Sequence, residues 1–242
     1  MALSQKWKDS VEPGVTDAAW DNYDSGIQTE IAACNLRLKD TPGYKTVDWK
    51  VVKAMLWVES GASSPAWNTA PIQIGVPGDP GLGVLQRGDN GSDLIMTTDL
   101  ANRVKNTQKV TTDPNLNIQA GIAYLFTQMS KSDIVSVVDD PAVLSYTVVA
   151  GDSLDKISKK LGTTVDNLKS QNPGAGAMIR PNAVLKYQKA TMKRQIVGWR
   201  DFNVMTTIAD RYNGGGDPDY AAKLVYVLDL FKKLKRPATA TP

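Results

Sequence analysis

Glu59 is the side chain whose type and spacing best fit acid chemistry. It follows Leu56 by three residues, Met55 by four and Val52 by seven, so its carboxyl group shares the helix face on which those apolar side chains are buried. Burial in apolar surroundings raises the pKa of a carboxyl group and keeps a proton on it near neutral pH, which is the state that a general acid needs. The periodicity alone fits equally well with a glutamate at the rim of the core that is held by a salt bridge.

The composition removes most other catalytic mechanisms. The chain has no histidine, which excludes Ser-His-Asp triads, Cys-His pairs and HExxH zinc sites. Its one cysteine, Cys34, has no partner for an internal disulfide and lies in an apolar run typical of a small core residue. Carboxylates, Lys and Tyr remain for acid and base chemistry, and carboxylates are the usual groups for hydrolysing glycosidic bonds. The composition therefore favours carboxylate chemistry.

The net charge says little about binding partners, whereas the hydropathy pattern gives an expectation about where the protein is found. A net charge of +3 and a pI near 8.8 favour an anionic partner only weakly, and without a concentrated basic stripe no nucleic-acid partner is expected. The first residues lack the apolar region of a secretory signal, and no window reaches the roughly 18 apolar residues of a membrane span. We expect a soluble monomer, made without a signal peptide, that does not insert into a membrane.

Amphipathic helices and a glycine-rich segment must position Glu59. Residues 47–59 show the helical period and end just before Gly61. Residues 72–90 are rich in Gly and Pro and are predicted to form a long irregular loop or short hairpins. An aspartate followed by a proline predicts a helix start at Asp113 and again at Asp217. Gly121, within the first of these helices, indicates close helix packing.

A smaller unit interrupts this helical pattern. A short β-branched run from Tyr146, two short helical patterns and a closing run at 184–187 predict a βααβ unit whose ends lie close together, as an inserted module requires. The length of 242 residues fits one domain that carries such a module. We therefore divide the chain into residues 1–143 and 189–242, which form a mainly α domain, and an insertion at residues 144–188.

Four motifs occur in order along the helical part: Glu59-Ser60, Gly83-Val84-Leu85-Gln86, residues 117–125 and residues 208–215. Together they resemble the lytic transglycosylase and goose-type lysozyme superfamily. The resemblance implies a mainly α, lysozyme-like fold that cleaves the β-1,4 bond between N-acetylmuramic acid and N-acetylglucosamine, with Glu59 as the catalytic acid and without a metal or organic cofactor. The remaining motif residues that it implies to line the sugar cleft or brace Glu59 are Ser60, Gln86, Tyr124, Tyr212 and Asn213, of which Tyr124 is expected to be structural.

Two of these motifs depart from the usual pattern of the superfamily. The motif that ends at Gln86 has Val84-Leu85 where Leu-Met is usual. Asp210-Arg211-Tyr212-Asn213-Gly214-Gly215 stands where Ala-Ala-Tyr-Asn-Ala-Gly is usual. The change adds charge near the expected cleft.

Two aspartates bear on whether water or a hydroxyl group of the sugar attacks the glycosidic bond. Hydrolysis by inversion needs a second carboxylate that activates water, whereas a lytic transglycosylase uses the 6-hydroxyl of the sugar itself. Asp79 and Asp89 flank the Gly-Val-Leu-Gln motif in a way similar to goose-type lysozymes, which favours hydrolysis with one of them as the base. Both also lie in good turn sequences, where an aspartate needs no catalytic role. Asp93 is a weaker candidate than either.

The inserted unit resembles a LysM module. The residues that carry this resemblance are Tyr-Thr-Val-x-x-Gly-Asp-Ser-Leu from Tyr146, then Asn172-Pro173 and Ile179-x-Pro181-Asn182. LysM modules bind glycans that contain N-acetylglucosamine, so the insertion would hold the substrate close to the surrounding domain. The resemblance implies a glycan groove lined by two loops, which consist of Gly151, Asp152 and Ser153 and of Ile179, Arg180 and Pro181. Turn and capping chemistry explains the first loop equally well.

The combined expectation is a peptidoglycan muramidase whose partner is the glycan strand. A lytic transglycosylase and a non-catalytic LysM wall-binding protein are the alternatives. The chain also resembles the lysozyme part of type VI secretion effectors that combine an amidase with a lysozyme. This resemblance implies action in the periplasm or wall of a target bacterium, with an immunity protein and a secretion apparatus as further partners.

Overall fold

The computed structural model describes residues 2–175 and 178–234, and about half of the chain is helical. Two compact units are present: one consists of the chain up to Ser132 and from Ile196 onward, and the other of Asp133–Gln195. Across the described ranges, no helix combines the length and the apolar composition needed to cross a bilayer.

Short 3-10 turns connect several of the helices, and both strands belong to the second half of the chain. In chain order, the helices and strands are α1 Gln5–Val11, α2 Asp24–Leu38, α3 Trp49–Glu59, α4 Gly81–Arg87, α5 Ser92–Ile95, α6 Thr98–Arg103, α7 Thr107–Val110, α8 Pro114–Met129, β1 Ser130–Thr147, α9 Leu154–Leu161, α10 Val165–Gln171, β2 Val184–Trp199, α11 Thr207–Tyr212 and α12 Tyr220–Phe231.

Helix α3 carries Glu59 as its last residue and is a core helix, as its periodicity predicts. The Asp48 side chain caps its start by accepting a hydrogen bond of 2.9 Å from the backbone N–H of Lys50. At its end, Gly61 has a left-handed backbone with φ of 66° and its N–H donates to the carbonyl oxygen of Leu56 at 3.1 Å. The helix packs against α2 and α12, so the polypeptide on both sides of the insertion contributes to one core.

Helix α8 is almost entirely buried, with twelve of its 16 residues out of contact with solvent. The predicted start is confirmed, because the Asp113 carboxylate accepts hydrogen bonds from the backbone N–H groups of Asn115 and Leu116. Gly121 does permit a close approach, but its neighbour is a side chain of a loop: a Cβ added there would lie 2.4 Å from Cγ2 of Ile72. Ile72 belongs to the segment that forms one wall of the candidate site.

Two expectations about element boundaries are wrong. The last helix begins at Tyr220 and not at Pro218, because the Asp217 carboxylate accepts from the backbone N–H of Asp219 and closes a turn ahead of the helix. The glycine-rich stretch of residues 72–90 is neither one long loop nor a set of hairpins, since helix α4 occupies much of its second half. The helix ends at Arg87 and is capped by Gly88, which has a φ of 71°.

The smaller unit contains α9 and α10 between the two strands, which form a two-stranded antiparallel sheet. Its core consists of Val148, Ile157, Leu168, Leu185 and Tyr187. The strands run well beyond the predicted short ones, so that this unit spans Asp133–Gln195, whereas the sequence interpretation gave residues 144–188. The additional residues are rich in β-branched side chains, which favour a continued strand ladder.

Candidate active site

A cleft of about 270 Å³ lies at the carboxyl end of α3, within the larger unit. The walls come from the end of α3, the segment before α4, the middle of α8 and the end of α11. The residues that line the cleft are Glu59, Ile72, Gln73, Ile74, Gly78, Asp79, Pro80, Tyr124, Tyr212, Asn213 and Gly214. The structure therefore brings together five residues that the sequence interpretation singled out: Glu59, Asp79, Tyr124, Tyr212 and Asn213.

The Glu59 carboxyl group is set in surroundings that keep a proton on it. The Tyr220 hydroxyl donates a hydrogen bond of 2.8 Å to its Oε1 atom. Burial is the largest effect and raises the pKa of Glu59 to about 7, against the opposing influence of the Tyr220 hydrogen bond and the Lys223 ammonium. The negative charges of Asp217 and Asp79 raise the pKa further in the same direction. Glu59 is thus able to hold a proton near neutral pH and to release it within the cleft.

Tyr220 is a site residue that the sequence interpretation missed. It is the first residue of α12 and its side chain is buried. The signal was present, because Tyr220 stands four residues before Leu224 and seven before Val227, on the stripe of α12 that faces the core. A phenol on a buried stripe requires a hydrogen-bond partner for its hydroxyl, and here that partner is Glu59.

Asp79 lies in the cleft and also organises the loop that forms its wall. Its Oδ2 atom accepts hydrogen bonds from the backbone N–H groups of Gly75 at 2.6 Å and Leu82 at 3.2 Å. Its Oδ1 atom accepts from the N–H of Gly81 at 3.0 Å, at the start of α4. The turn interpretation is therefore confirmed, and the role of Asp79 as a base stays a prediction for a residue that lines the cleft. A carboxylate offers about four acceptor positions, so one position of Asp79 remains for a further donor.

The structure places Asp89 differently. Its carboxylate forms an ion pair of 2.7 Å with Nε of Arg87, both side chains are exposed, and Asp89 is not among the residues that line the cleft. Asp93, on the short helix α5, does not line the cleft either. Of the candidate bases, Asp79 is the one that faces the same cleft as Glu59.

Ser60 and Gln86 brace neighbouring segments. The Ser60 hydroxyl donates to the carbonyl oxygen of Pro71 at 2.8 Å and so ties the end of α3 to the cleft wall. The Gln86 amide nitrogen donates to the carbonyl oxygen of Val104 at 2.9 Å and to the Thr107 hydroxyl at 3.1 Å. Neither residue is among those that line the cleft.

Two tyrosines and an asparagine form the opposite side of the cleft. The rings of Tyr124 and Tyr212 lie 5.4 Å apart, and burial raises the pKa of both phenols, which keeps their hydroxyl groups protonated. The Tyr212 hydroxyl donates to the carbonyl oxygen of Ile72 at 3.4 Å. The Asn213 amide donates to the backbone carbonyl of Asp217 at 3.2 Å. These side chains present neutral hydrogen-bonding groups and aromatic surface, which suit a sugar ring.

The wall formed by residues 72–74 is held from beneath by Asn117 of α8. The Asn117 side chain is fully buried; its Oδ1 atom accepts from the N–H of Ile72 at 3.0 Å and its amide nitrogen donates to the carbonyl oxygen of Ile74 at 2.9 Å. Between them, Gln73 has a left-handed backbone with φ of 59° and faces the cleft. A positive φ is uncommon for a residue other than glycine and is often found at functional sites. The sequence interpretation missed Gln73.

The first of the two loops in the smaller unit shows turn and capping chemistry. Gly151 has a φ of 87°. Asp152 accepts hydrogen bonds of 2.9 Å from the backbone N–H of Val149 and from the Tyr146 hydroxyl, which holds the pKa of its carboxyl group below the usual range. The Ser153 hydroxyl caps α9. Gly151 and Ser153 are exposed, so they remain accessible to a ligand.

The second loop is joined to the first at its base. The backbone N–H of Asn182 donates to the carbonyl oxygen of Val148 at 2.8 Å, and the N–H of Val148 donates to the carbonyl oxygen of Ala183 at 2.9 Å. Ile179 packs against the core of the smaller unit, whereas Pro181 is exposed. The two loops expected to line a glycan groove are therefore neighbours at one end of this unit.

Comparison with known protein families identifies part of the chain. The LysM domain family matches residues 146–186, which confirms the predicted LysM module as a unit that binds peptidoglycan. This module indicates a protein associated with the cell wall. No curated protein and no solved structure matches the chain. The resemblance of the helical part to lysozymes remains a prediction.

Proposed function

We propose that the protein is a peptidoglycan muramidase in which Glu59 is the general acid and the LysM module holds the substrate. The observation that carries this proposal is a carboxyl group with a pKa of about 7 in a cleft that also contains a second carboxylate, that of Asp79. Two carboxyl groups with different environments are the usual machinery for cleaving a glycosidic bond. The substrate class follows from the peptidoglycan-binding module in the same chain.

The chemistry would proceed from the protonated Glu59. Its proton is transferred to the glycosidic oxygen as the bond to the anomeric carbon breaks, and the carboxylate left behind keeps the hydrogen bond from Tyr220. Asp79 uses its remaining acceptor position to take a proton from the attacking water on the other face of the sugar. The product of this path is a reducing muramic acid end.

A lytic transglycosylase is the second candidate, and a specific observation favours it. The Asp79 carboxylate already accepts three backbone hydrogen bonds, which are enough to explain why an aspartate stands at this position. If its role ends there, the 6-hydroxyl of the muramic acid attacks in place of water and 1,6-anhydro ends form. A non-catalytic wall-binding protein is the third possibility, in which the LysM module alone is functional.

Mass spectrometry of digested peptidoglycan distinguishes the three functions. Reducing ends support the muramidase, anhydro ends support the transglycosylase, and the absence of fragments from a folded protein overturns both. The key variant is Glu59→Gln, for which we expect cleavage to fall at least about a thousandfold while sedimentation with insoluble peptidoglycan is kept. Glu12→Gln is a matched control, because Glu12 also accepts a hydrogen bond from a tyrosine of α12 but lies outside the cleft.

We further propose that the enzyme acts as an antibacterial effector on the wall of a target cell, with an immunity protein as a partner. The support is the wall-binding module together with the sequence resemblance to type VI effectors. Expression of the chain with an added periplasmic signal tests this role. Lysis that depends on Glu59 is expected in the periplasm and not in the cytoplasm, and equal growth in both cases overturns the effector role.

A further inference from the structure

A second pocket of about 270 Å³ in the larger unit is basic and lies outside the machinery described above. We refer to it as the basic pocket. The residues that line it are Asn90, Thr127, Gln128, Ser130, Lys131, Ser132, Arg200 and Arg211. Three of these side chains are cationic, and none of the lining residues of the basic pocket is acidic. The pocket therefore offers amide, hydroxyl and cationic donors to a ligand.

Arg200 is held in place by the end of α8. Its Nη1 atom donates to the carbonyl oxygens of Gln128 and Ser130, and its backbone N–H donates to the carbonyl oxygen of Met129 at 2.8 Å. A cation at this end of a helix is favourable because the last carbonyl groups lack helical partners. Burial and the nearby charge of Arg211 lower the pKa of the Arg200 guanidinium. The protein thus holds two like charges close to each other.

The other two cations have no anionic partner within the chain as described. Among residues 2–175 and 178–234, the ion pairs involve other cations, and none is formed by Arg211 or Lys131. Like charges that are held together without a counter-charge are stabilised by an anion that binds between them. A guanidinium also offers paired N–H donors that match the two oxygens of a carboxylate.

The basic pocket is the neighbour of the Glu59 cleft. Tyr124 lines the cleft, and Gln128 lines the basic pocket one helical turn later in α8. At the end of α11, Arg211 lines the basic pocket while the next residue, Tyr212, lines the cleft. One ligand can therefore place a sugar ring in the cleft and a substituent of that ring in the basic pocket.

We propose that the basic pocket binds a carboxylate carried by the substituent on muramic acid, either the stem peptide or the free lactyl group. This inference rests on the proposed function, since it takes the glycan strand as the occupant of the cleft. It also assigns a role to Arg211, which stands where the related motif has a small neutral residue. Arg211 and Lys131 contact the carboxylate, and Arg200 completes the positive surroundings from its fixed position beside the end of α8.

NMR titration of the intact chain tests binding, with the Nε–H signals of Arg211 and Arg200, which both line the basic pocket, as local reporters. Three probes are compared: the GlcNAc-MurNAc disaccharide with its tetrapeptide, the same disaccharide with a free lactyl carboxylate, and chitobiose, which has no carboxylate. We expect the arginine signals to shift with one or both charged probes and not with chitobiose, and the shift to weaken between about 50 and 300 mM salt. The lactyl carboxyl group of the tetrapeptide probe is an amide, so a shift with this probe alone identifies the stem peptide and a shift with the free-lactyl probe alone identifies the lactyl group. A shift with both shows that the basic pocket accepts either carboxylate.

Cleavage rates provide an independent test of the basic pocket. We expect the double variant Arg211→Gln with Lys131→Gln to lose about tenfold in kcat/KM on the charged substrate that shifts the NMR signals and to keep its rate on chitin oligosaccharides. Lys50→Gln, at the opposite end of α3 from Glu59, removes an exposed charge away from both pockets and is the control. Arg211→Lys keeps the positive charge, so its kcat/KM on the charged substrate is expected to fall less than that of the double variant.

The two proposals fail in different ways. Arginine signals that do not move, or that move equally with chitobiose, overturn the basic pocket as a carboxylate site even if the wild type cleaves peptidoglycan. An equal loss of rate on charged and uncharged substrates does the same. Conversely, the wild-type chain could fail to cleave peptidoglycan and still show the selective signal shift. This result overturns the catalytic function and supports the carboxylate site.

Discussion

The hydroxyl group of Tyr220 lies 2.8 Å from Oε1 of Glu59, although the two residues are 161 positions apart in the sequence. The contact exists because α12 packs against α3 and places the first residue of one helix beside the last residue of the other. Burial favours the neutral form of the carboxyl group, whereas the phenol donor favours the charged form. The balance between these two effects sets the pH at which Glu59 releases its proton.

Removal of this donor should move the pH profile of the proposed cleavage activity. In the wild type, kcat/KM is expected to fall as the pH rises above about 7, because the general acid loses its proton. Tyr220→Phe removes an interaction with the charged form, so the pKa of Glu59 rises and the alkaline limb moves upward by about one pH unit. We expect the plateau rate at acidic pH to drop by about tenfold or less, because the carboxyl group also loses a positioning contact.

Tyr226→Phe is the matched control for this experiment. Tyr226 is on the same helix and donates to Glu12 outside the cleft, so its removal should leave the alkaline limb in place. An alkaline limb at the same pH in wild type and Tyr220→Phe would show that another group, not Glu59, governs the falling rate.

The raised pKa of Glu59 also predicts how the stability of the fold depends on pH. The pKa of Glu59 is about 7 in the folded protein and 4.5 is its ordinary value, so the native state binds the proton more tightly than the unfolded chain. This contribution to stability is fully present below about pH 4.5 and is lost as the pH rises through about 7. Glu59→Gln should therefore gain stability over the wild type as the pH rises, by on the order of 2 kcal/mol at about pH 8, with allowance for partial exposure.

Urea unfolding of both proteins at about pH 4.5 and 8 measures this difference. The Glu12→Gln variant provides the reference for a change of charge outside the cleft. A stability difference between wild type and Glu59→Gln that is the same at both pH values would contradict the assigned pKa.

Asp79 and Asp89 are predicted to differ sharply when each is changed to asparagine. Asp89→Asn loses one exposed ion pair with Arg87, so stability should change by less than about 1 kcal/mol and activity by less than about twofold. Asp79→Asn puts an NH2 group where an oxygen accepts backbone N–H groups, and a loss of about 1–3 kcal/mol is expected.

The products separate a catalytic role of Asp79 from a purely structural one. If Asp79 activates water, mass spectrometry of the Asp79→Asn digest should show fewer reducing ends and a larger share of 1,6-anhydro ends. A lower rate with an unchanged ratio of the two ends would limit Asp79 to organising the loop.

Local structure could be predicted from the sequence where residues that are close in the chain determine that structure. The start and end of α3, with Glu59 on its buried side, follow from side-chain periodicity, a capping aspartate and a glycine. The start of α8 follows in the same way from Asp113. The LysM module was predicted at residues 144–188 from a dense motif that includes its turns and its core, and the family match covers residues 146–186.

Side-chain directions that depend on distant packing could not be predicted. Helix α4 buries Leu82 and Leu85 against the core, so Gln86 points away from the cleft toward Val104. Gly88 then caps the helix in a left-handed conformation, and Asp89, the next residue, does not line the cleft. A motif fixes which residues are near each other in sequence, whereas the face of a short helix is decided by what it packs against.

The contact between Gly121 and Ile72 gives a final prediction about how the cleft wall is held. Gly121→Ala would place its Cβ 2.4 Å from Cγ2 and 2.8 Å from Cδ1 of Ile72, and α8 cannot move because it is buried on nearly all sides. The segment of residues 72–74 must shift, which strains the hydrogen bonds from Asn117. We expect a loss of stability of about 1–3 kcal/mol and a lower kcat.

The double variant Gly121→Ala with Ile72→Ala tests whether this contact is the cause. Ile72→Ala removes both clashing atoms, so its own cost, about 2–5 kcal/mol for a buried isoleucine, should add less than fully to that of Gly121→Ala. Urea unfolding of the four proteins measures the coupling. Full additivity would mean that the added methyl group acts elsewhere, for example on α8 itself, and that the cleft wall does not depend on the absence of a side chain at position 121.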